Sequence, residues 1–277
     1  MRSRLTLATA LSLALGACGG GPASPPGLAY GLPDPPSVTY VSGDTAIMDI
    51  DANGQAMQAR VMAAATYATS FARAEDGIQV TMTVQDLDAR MSNPAGPPAS
   101  ADESGIDGPL VFTLDRMGAA TIQSEPKVNQ AAQQFFQPLL LAKTFFPPLP
   151  GRGVDAGASW TDTIRAEGPQ GEGTVSMTLV ATYTVAGDTV VDGRSLVRID
   201  MDGTTEASAS GMIAGMDFSQ SGSGTASGWV LWDMARGLMA ESYTETDLRG
   251  TMDVSAAPFP LGMRVRQQGR VKLVEGM

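Results

Sequence analysis

Strict alternation of apolar and polar residues is the feature that most constrains how this chain can fold. Every second residue of 78–85 is apolar, and residues 175–185 and 197–202 follow the same pattern closely. A period of two places alternate side chains on opposite faces of a β-strand, one for a core and one for water. Such strands are typical of antiparallel sheets. The pattern predicts a mainly β protein built from one or more curved antiparallel sheets.

Turn and loop signals lie between these segments. Asp76-Gly77 and Asp192-Gly193 are dipeptides that favour tight turns between strands. Residues 92–107 are rich in Pro, Ala, Ser and acidic residues, and residues 208–227 are rich in Gly and Ser. Both of these stretches are interpreted as loops. A short strand within the second stretch is the alternative, because it contains the apolar residues Met212, Ile213, Met216 and Phe218.

One helix is predicted at about residues 126–146. Ser124 can cap it, Pro126 suits its first turn, and apolar residues follow at alternating spacings of four and three. These residues are Val128, Ala132, Phe135, Leu139, Ala142 and Phe146. Pro138 should kink the helix or split it in two, because its ring clashes with the preceding turn. We expect this helix to lie on the sheet.

A faint internal repeat relates the two sides of the helix. The tripeptide Ala-Thr-Tyr occurs at 65–67 and 181–183, and each copy precedes a strand, an Asp-containing turn and a second strand. If the repeat is real, two similar sheets occupy residues of about 37–123 and 158–277. The alternative is a chance similarity between hairpins.

The joint between these halves is the Pro-rich segment 145–160, which reads FFPPLPGRGVDAGASW. Its P-x-x-P…V-x-x-G-x-x-W pattern resembles an element of uncharacterised secreted and lipoprotein families of bacteria. There it leads from a helix into a second set of strands. We interpret the segment as a rigid, buried crossover with Trp160 as a core anchor. A polyproline II ligand for a partner is the alternative.

The N-terminus has the organisation of an export signal. Arg2 and Arg4 precede the apolar run 5–15, which is shorter than the ~20 residues that a membrane-spanning helix needs. The boundary Leu15-Gly16-Ala17-Cys18 then resembles the bacterial lipobox. The resemblance implies cleavage before Cys18 and lipidation of that cysteine, the only one in the chain. An ordinary signal peptide with an incidental cysteine is the alternative.

The lipobox resemblance also implies a division of the chain and a location. Residues 1–17 are the signal peptide, 18–36 the lipidated cysteine with a Gly- and Pro-rich tether, and 37–277 the β-rich domain. The lipids on Cys18 make the membrane a partner. Gly19, rather than Asp, implies the outer membrane under the usual Gram-negative sorting rule. We expect the protein to face the periplasm.

Composition removes several kinds of chemistry. The chain has no histidine, which excludes Ser-His-Asp and Cys-His catalysis and the usual zinc sites. A net charge of −11 argues against nucleic acid as a partner. Asp49 to Gly54 matches half of a calcium loop, but Arg60 stands where the loop needs a glutamate. We therefore expect no enzyme activity, no metal and no cofactor.

Paired carboxylates are the one catalytic pattern that remains. Glu241, Glu245 and Asp247 share the parity of one strand face, and glycosidases use two such carboxylates at a fixed separation. A solvated strand face is the simpler interpretation.

Methionine is abundant, with 16 residues, and it suits surfaces that accept varied apolar partners. Met82, Met177 and Met201 are predicted to face inward, where they either fill the core or line an apolar cavity. With Phe135 and Leu139 of the helix, they form the predicted site for an apolar ligand or lipid. Such a shape resembles the periplasmic lipoprotein-carrier fold, an open half-barrel that holds acyl chains. A structural or protein-interaction module of the envelope, without a ligand, is the alternative; the sequence identifies no protein partner.

Overall fold

The computed structural model describes residues 27–52, 54–92, 98–170, 173–213, 216–255 and 259–274. Cys18 and the first part of the predicted tether lie outside these ranges. The strands in chain order are β1 (Ser37–Ala52), β2 (Gln55–Ala74), β3 (Gly77–Ser92), β4 (Ala99–Ala101), β5 (Ile106–Asp107), β6 (Leu110–Leu114), β7 (Ala120–Ser124), β8 (Lys127–Val128), β9 (Ser159–Gln170), β10 (Gly173–Val191), β11 (Arg194–Ile213), β12 (Met216–Asp233), β13 (Leu238–Val254) and β14 (Leu261–Val274).

Nearly all of these strands belong to a single antiparallel sheet. Its order is β7-β6-β3-β2-β1-β14-β13-β12-β11-β10-β9, with β4 beside β3. The pairing of β1 with β14 joins the two halves of the chain in the middle of the sheet. The predicted fold class is therefore confirmed, whereas the alternative of two separate sheets is wrong. Residues 78–85, 175–185 and 197–202 all lie in strands.

The helical segment is shorter than the predicted range 126–146. It consists of a 3-10 turn at Ala132–Gln134 and the helix α1 (Pro138–Thr144), and Lys127–Val128 instead pairs with β5. Pro138 is the first residue of α1, and the preceding Gln137 is extended, with φ −120° and ψ 98°. A proline disfavours helical backbone in the residue before it, so the helix divides at this point.

Helix α1 lies between the two ends of the sheet. It contacts β9 at one end and β7 and β6 at the other. The Lys143 ammonium donates a hydrogen bond to the Ala120 carbonyl of β7. Leu139 packs closely on Gly168 of β9. A Cβ atom added to Gly168 would lie 2.6 Å from Leu139 Cδ2. Both ends of the sheet therefore approach the same short helix, and the sheet is curled into a half-barrel.

An aromatic cluster fills one end of this half-barrel. Phe146 lies at its centre, with ring centroids 4.9–6.2 Å from those of five neighbours: Tyr30, Tyr40, Phe71, Phe112 and Phe145. The cluster packs on the inner faces of β1, β2 and β6 and is almost completely buried. This end of the molecule thus has a dense core.

Packed structure begins within the segment 18–36 that the sequence predicts as a tether. Leu28 is 2% exposed and forms a β-bridge with Arg152, and Tyr30 is 6% exposed. The Tyr30 hydroxyl donates a hydrogen bond of 2.7 Å to the Pro147 carbonyl. Large apolar side chains within a Pro- and Gly-rich segment thus fasten it to the core.

Where the structure describes them, the Gly- and Ser-rich residues 208–213 and 216–227 form strands and not the predicted loop. They lie in β11 and β12, where the serines face outward and the inward-facing residues include Ala209, Gly222 and Gly224. At Gly224 a Cβ would lie 1.8 Å from the Asp247 carbonyl oxygen, and at Gly222 it would lie 3.1 Å from that of Arg249. Glycine thus permits a close approach of neighbouring strands where the sheet curls.

The two copies of the faint repeat occupy equivalent places. The first spans β2-β3-β6-β7 and the second β10-β11-β12-β13, and each is a run of four adjacent antiparallel strands. Asp115 in one turn and Asp233 in the other accept hydrogen bonds from backbone N–H groups two residues ahead. The copies therefore share topology and turn chemistry within one sheet.

The crossover after α1 is buried. Pro147, Pro148 and Leu149 are all inaccessible, and Trp160 stacks on Tyr183 with ring centroids 5.6 Å apart. The Trp160 indole N–H donates to the Pro148 carbonyl over 3.3 Å. This arrangement supports the interpretation of a rigid core element, in which Pro147 and Pro148 are buried and unavailable to a partner. Among the described residues, no helix has the length and apolar character that crossing a membrane requires.

Candidate functional site

The strand register divides the sheet into an apolar inner face and a polar outer face. The acids considered for hydrolysis lie on the outer face, each with a partner. Glu241 pairs with Arg270, Glu245 accepts from the Gln268 amide, and Asp247 accepts from Arg264 Nε over 2.8 Å. These carboxylates are therefore part of a network of polar contacts across β13 and β14.

The partial calcium motif is also engaged in ordinary strand and turn contacts. Asp49 on the outer face of β1 accepts from Arg266 and Gln58 over 2.7 and 2.8 Å. Asp51 accepts from the Gly54 N–H over 2.7 Å. Asn53 lies outside the described residues. No cluster of three or more potential metal-ligating Asp, Glu, His or Cys side chains occurs in the described part of the chain.

The residues predicted to bind an apolar ligand differ in burial: two are core residues and three are partly exposed. Met82 and Met201 are 2% and 6% exposed and belong to the core. Phe135 packs partly buried against that core, and Leu139 contacts β9. Met177 faces inward on β10 and is partly exposed. Met82 and Met201 therefore fill the core, which is the other interpretation of these two residues.

A second set of methionines lies on the inner face, away from the aromatic cluster. We call it the methionine face; it comprises one residue on each of five adjacent strands: Met91, Met57, Met48, Met263 and Met252. Register places them together, since Met57 and Met263 flank Ile50 on either side and Met48 is opposite Val265. All five are partly exposed, and none belongs to the core cluster.

Helix α1 does not cover the methionine face, since it contacts β6, β7 and β9. The sequence analysis missed this surface. The available signal was the alternation in residues 57–61 and 263–265 and at Met48 and Ile50, whose apolar members have the parity of the inner face. On β1 the signal is interrupted by Ile47, which has the parity of the outer face. Parity alone does not distinguish inward residues that the helical segment covers from those that it leaves open.

A polar belt separates the methionine face from the aromatic cluster. It lies on the inner faces of β1, β14 and β13 and consists of Ser42, Asp44, Gln267, Thr244 and Thr246. Thr244 and Gln267 are exposed although they face inward, so water reaches the belt. Asp44 is the only charged residue on the inner faces of these three strands.

Asp44 is held in an unfavourable environment for a charge. Burial raises the pKa of its carboxyl group from 3.8 to about 6. The titratable side chain facing it is Tyr67 of β2, whose pKa is itself raised to about 12, mainly by burial. Neither group supplies a positive charge, so the ionised Asp44 is not compensated by a neighbouring cation.

The raised pKa of Asp44 predicts how stability depends on pH. The folded state binds the proton on Asp44 more tightly than the unfolded state does. The free energy of unfolding should therefore decrease as the pH rises from about 4 to about 6. Asp44→Asn removes this effect. We expect the variant to be more stable than wild type by about 1 to 2 kcal/mol near pH 8, allowing for partial solvent exposure, and equally stable near pH 3.5.

Urea unfolding at the two pH values measures the difference. Asp51→Asn, an exposed acid on the same strand, is the control and should show no such pH-dependent gain. A loss of stability in Asp44→Asn near pH 8 would show that the carboxylate has a stabilising partner.

Taken together, the fold and the site define a curled, incomplete antiparallel β-barrel with a helix between its edges and an open apolar surface inside. Neither a protein-family model nor a curated protein sequence matches the chain.

Three solved structures show distant likeness to the fold. An outer membrane channel from Pseudomonas putida F1 has 10% identity and a TM-score of 0.37, over 92% of this chain and 98% of the channel. OccK2 of Pseudomonas aeruginosa, crystallised with glucuronate, has 8% identity and a TM-score of 0.30, over 86% and 98%. The hypothetical lipoprotein YmcC of Escherichia coli has 13% identity and a TM-score of 0.22, over 85% of each chain. At these TM-scores the likenesses carry no argument about function.

Proposed function

We propose that this protein is a lipid-anchored, non-enzymatic protein of the bacterial outer membrane that binds an acyl chain inside its half-barrel. The observation that carries the binding proposal is the methionine face, an apolar surface on five adjacent strands outside the core. The membrane attachment rests on the lipobox resemblance at Cys18. The two parts are independent and need separate tests.

The chemistry of the methionine face suits an acyl chain. Thioether side chains are flexible and polarizable and adapt to ligands of varied shape. Ile50, Val61 and Val265 complete the surface with further apolar atoms, and no charged residue of β1 or β14 faces inward beside them. Removing apolar surface from water stabilises a complex by roughly 25 cal/mol per Å². The site proposed from the sequence thus moves from between the sheet and the helix to the open end of the sheet. Met177 lies on β10, three strands away from β13, and is not part of the methionine face.

The length of the surface also fits one acyl chain. Ile50 lies six positions after Asp44 on β1, and at roughly 3.3 Å per residue the two residues are about 20 Å apart. An acyl chain in one leaflet spans about 15 Å, half of the ~30 Å hydrocarbon core. The inner surface of β1 therefore accommodates the full length of one chain.

The test measures binding of a fluorescent, uncharged long-chain alcohol to the chain from Gly19 onward, which retains every described residue. We expect saturable binding that Met57→Glu weakens at least about tenfold, because a charge would be buried beside the chain. Met62→Glu is the matched control: it lies on the outer face of the same strand, is 44% exposed, and should leave the affinity unchanged. Equal effects of both variants, or no saturable binding by wild type, would contradict the proposal and favour a protein-interaction module.

A further inference from the structure

We propose that the polar belt recognises a primary ammonium group, so that the ligand is an amphiphile with an amine at one end of its acyl chain. This inference rests on the proposed binding of an acyl chain and specifies the chemistry of the ligand's polar end. It follows from the position of Asp44 relative to the methionine face and from the groups around that carboxylate.

The first step is the placement of the carboxylate. Asp44 lies on the same face of β1 as Met48 and Ile50, with one residue, Ala46, between Asp44 and Met48 on that face. A chain lying along the methionine face therefore ends at the polar belt. On the far side of the belt, Tyr40 and the aromatic cluster close the interior. The polar end of the ligand thus meets Asp44.

The second step is the room around the carboxylate. Gly269 of β14 lies opposite both Asp44 and Thr244. A Cβ at this glycine would be 2.6 Å from Asp44 Oδ1 and 3.3 Å from Thr244 Oγ1. The absence of a side chain at Gly269 therefore leaves space in which two oxygen atoms from neighbouring strands converge. Thr246 and Gln267 add further polar groups on the same face.

The third step is charge. The described inner faces of β1, β13 and β14 contain no lysine or arginine, and the cations of β14 all have the opposite parity. A partly buried carboxylate without a cation is costly, and an ammonium ion supplies both the charge and three hydrogen-bond donors. A fatty-acid carboxylate in the same position would repel Asp44. The belt therefore discriminates between ligands by the sign of their charge.

The experiment compares dodecylamine, dodecanol and dodecanoate as competitors of the fluorescent alcohol on the chain from Gly19 onward, near pH 7.5. We expect dodecylamine to bind at least about tenfold more tightly than dodecanol, and dodecanoate to bind more weakly than either. Asp44→Asn should abolish the advantage of the amine over dodecanol, so that the two compounds bind with about equal affinity. Asp49→Asn, on the outer face of the same strand, should keep the wild-type order.

The pH dependence gives a second readout. Between about pH 7.5 and pH 5 the amine stays protonated while Asp44 takes up a proton, so the advantage of dodecylamine should decline in wild type and not change in Asp44→Asn. Equal affinities for the three compounds in wild type, or an advantage of the amine that survives Asp44→Asn, would overturn the inference. In both outcomes the acyl-chain proposal stands. If none of the three compounds displaced the fluorescent alcohol, the acyl-chain proposal would be overturned as well.

Discussion

Replacing Phe146 with alanine should lower the free energy of unfolding by about 4 kcal/mol. Phe146 is 3% exposed and makes ring contacts with five other aromatic side chains. The substitution removes a buried ring from the centre of this cluster and leaves a cavity that side chains on several strands would have to fill. Because these side chains come from three strands, β1, β2 and β6, and from the segments before β1 and after α1, we expect collapse of the cavity to be incomplete.

Equilibrium urea unfolding of the chain from Gly19 onward tests this prediction. Phe259→Ala is the matched control, since Phe259 is 41% exposed and its truncation should change stability by less than about 0.5 kcal/mol. A loss below about 1 kcal/mol in Phe146→Ala would show that the aromatic cluster is not the centre of the stabilising core.

Cys18→Ala should abolish lipid attachment completely. The lipobox resemblance implies that cleavage requires the cysteine, so the variant should accumulate as a precursor that retains residues 1–17. Labelling of cells with a radioactive fatty acid should mark the wild type and not the variant, and electrophoresis should show the larger precursor. Cys18 lies outside the described residues, and this prediction depends on the sequence alone.

A suitable control for this experiment is Gly20→Ala, which leaves the lipobox residues intact and should be processed and labelled as wild type. A Cys18→Ala protein that is cleaved normally and found in the membrane would contradict the prediction. It would favour an ordinary signal peptide and remove the basis for an outer-membrane anchor. The proposed acyl-chain site would be unaffected, because it depends on the methionine face.

The strands were predictable where alternation was strict. Residues 78–85 and 175–185 have a period of two, and the structure places them in β3 and β10. The strands at residues 208–213 and 216–227 were misinterpreted as a loop because glycine has low strand propensity. In the sheet, however, the small size of glycine is an advantage, since it permits the close approach of strands at the curl. Local propensity therefore failed where tertiary curvature decided the outcome.

The predicted helix is a second case in which a local sequence pattern did not determine the structure. Apolar spacing from Val128 to Phe146 indicated one continuous amphipathic face. In the structure, Val128 pairs as a strand with Ile106, and Phe146 lies beyond the end of α1 at the centre of the core. Pro138 was identified correctly as the interruption. Which side of it remains helical depends on contacts with β9 and β7 that are distant in sequence.

The candidate site was only partly accessible to sequence reasoning. The prediction that methionines face inward is confirmed by register for Met82, Met177 and Met201. Whether an inward methionine is buried depends on how far the helix and crossover extend along the strands, which alternation does not encode. Asp44 carried no distinguishing signal, since a polar residue within a strand is ordinary. Its environment becomes unusual only when three strands place it on an inner face without a cation.

The sequence by itself determined the period of each strand, the face on which each side chain lies and the proposed membrane address at Cys18, since these depend on neighbours within a few residues. The tertiary structure alone decided that the two halves form one sheet through β1 and β14, that α1 lies between its edges, and that the methionine face stays open. These features depend on pairing between residues such as Thr39 and Val274, at opposite ends of the fold. Pairing residues so far apart in sequence costs conformational entropy, and only the packing of the whole core offsets this cost. Local periodicity carries no information about such long-range pairing.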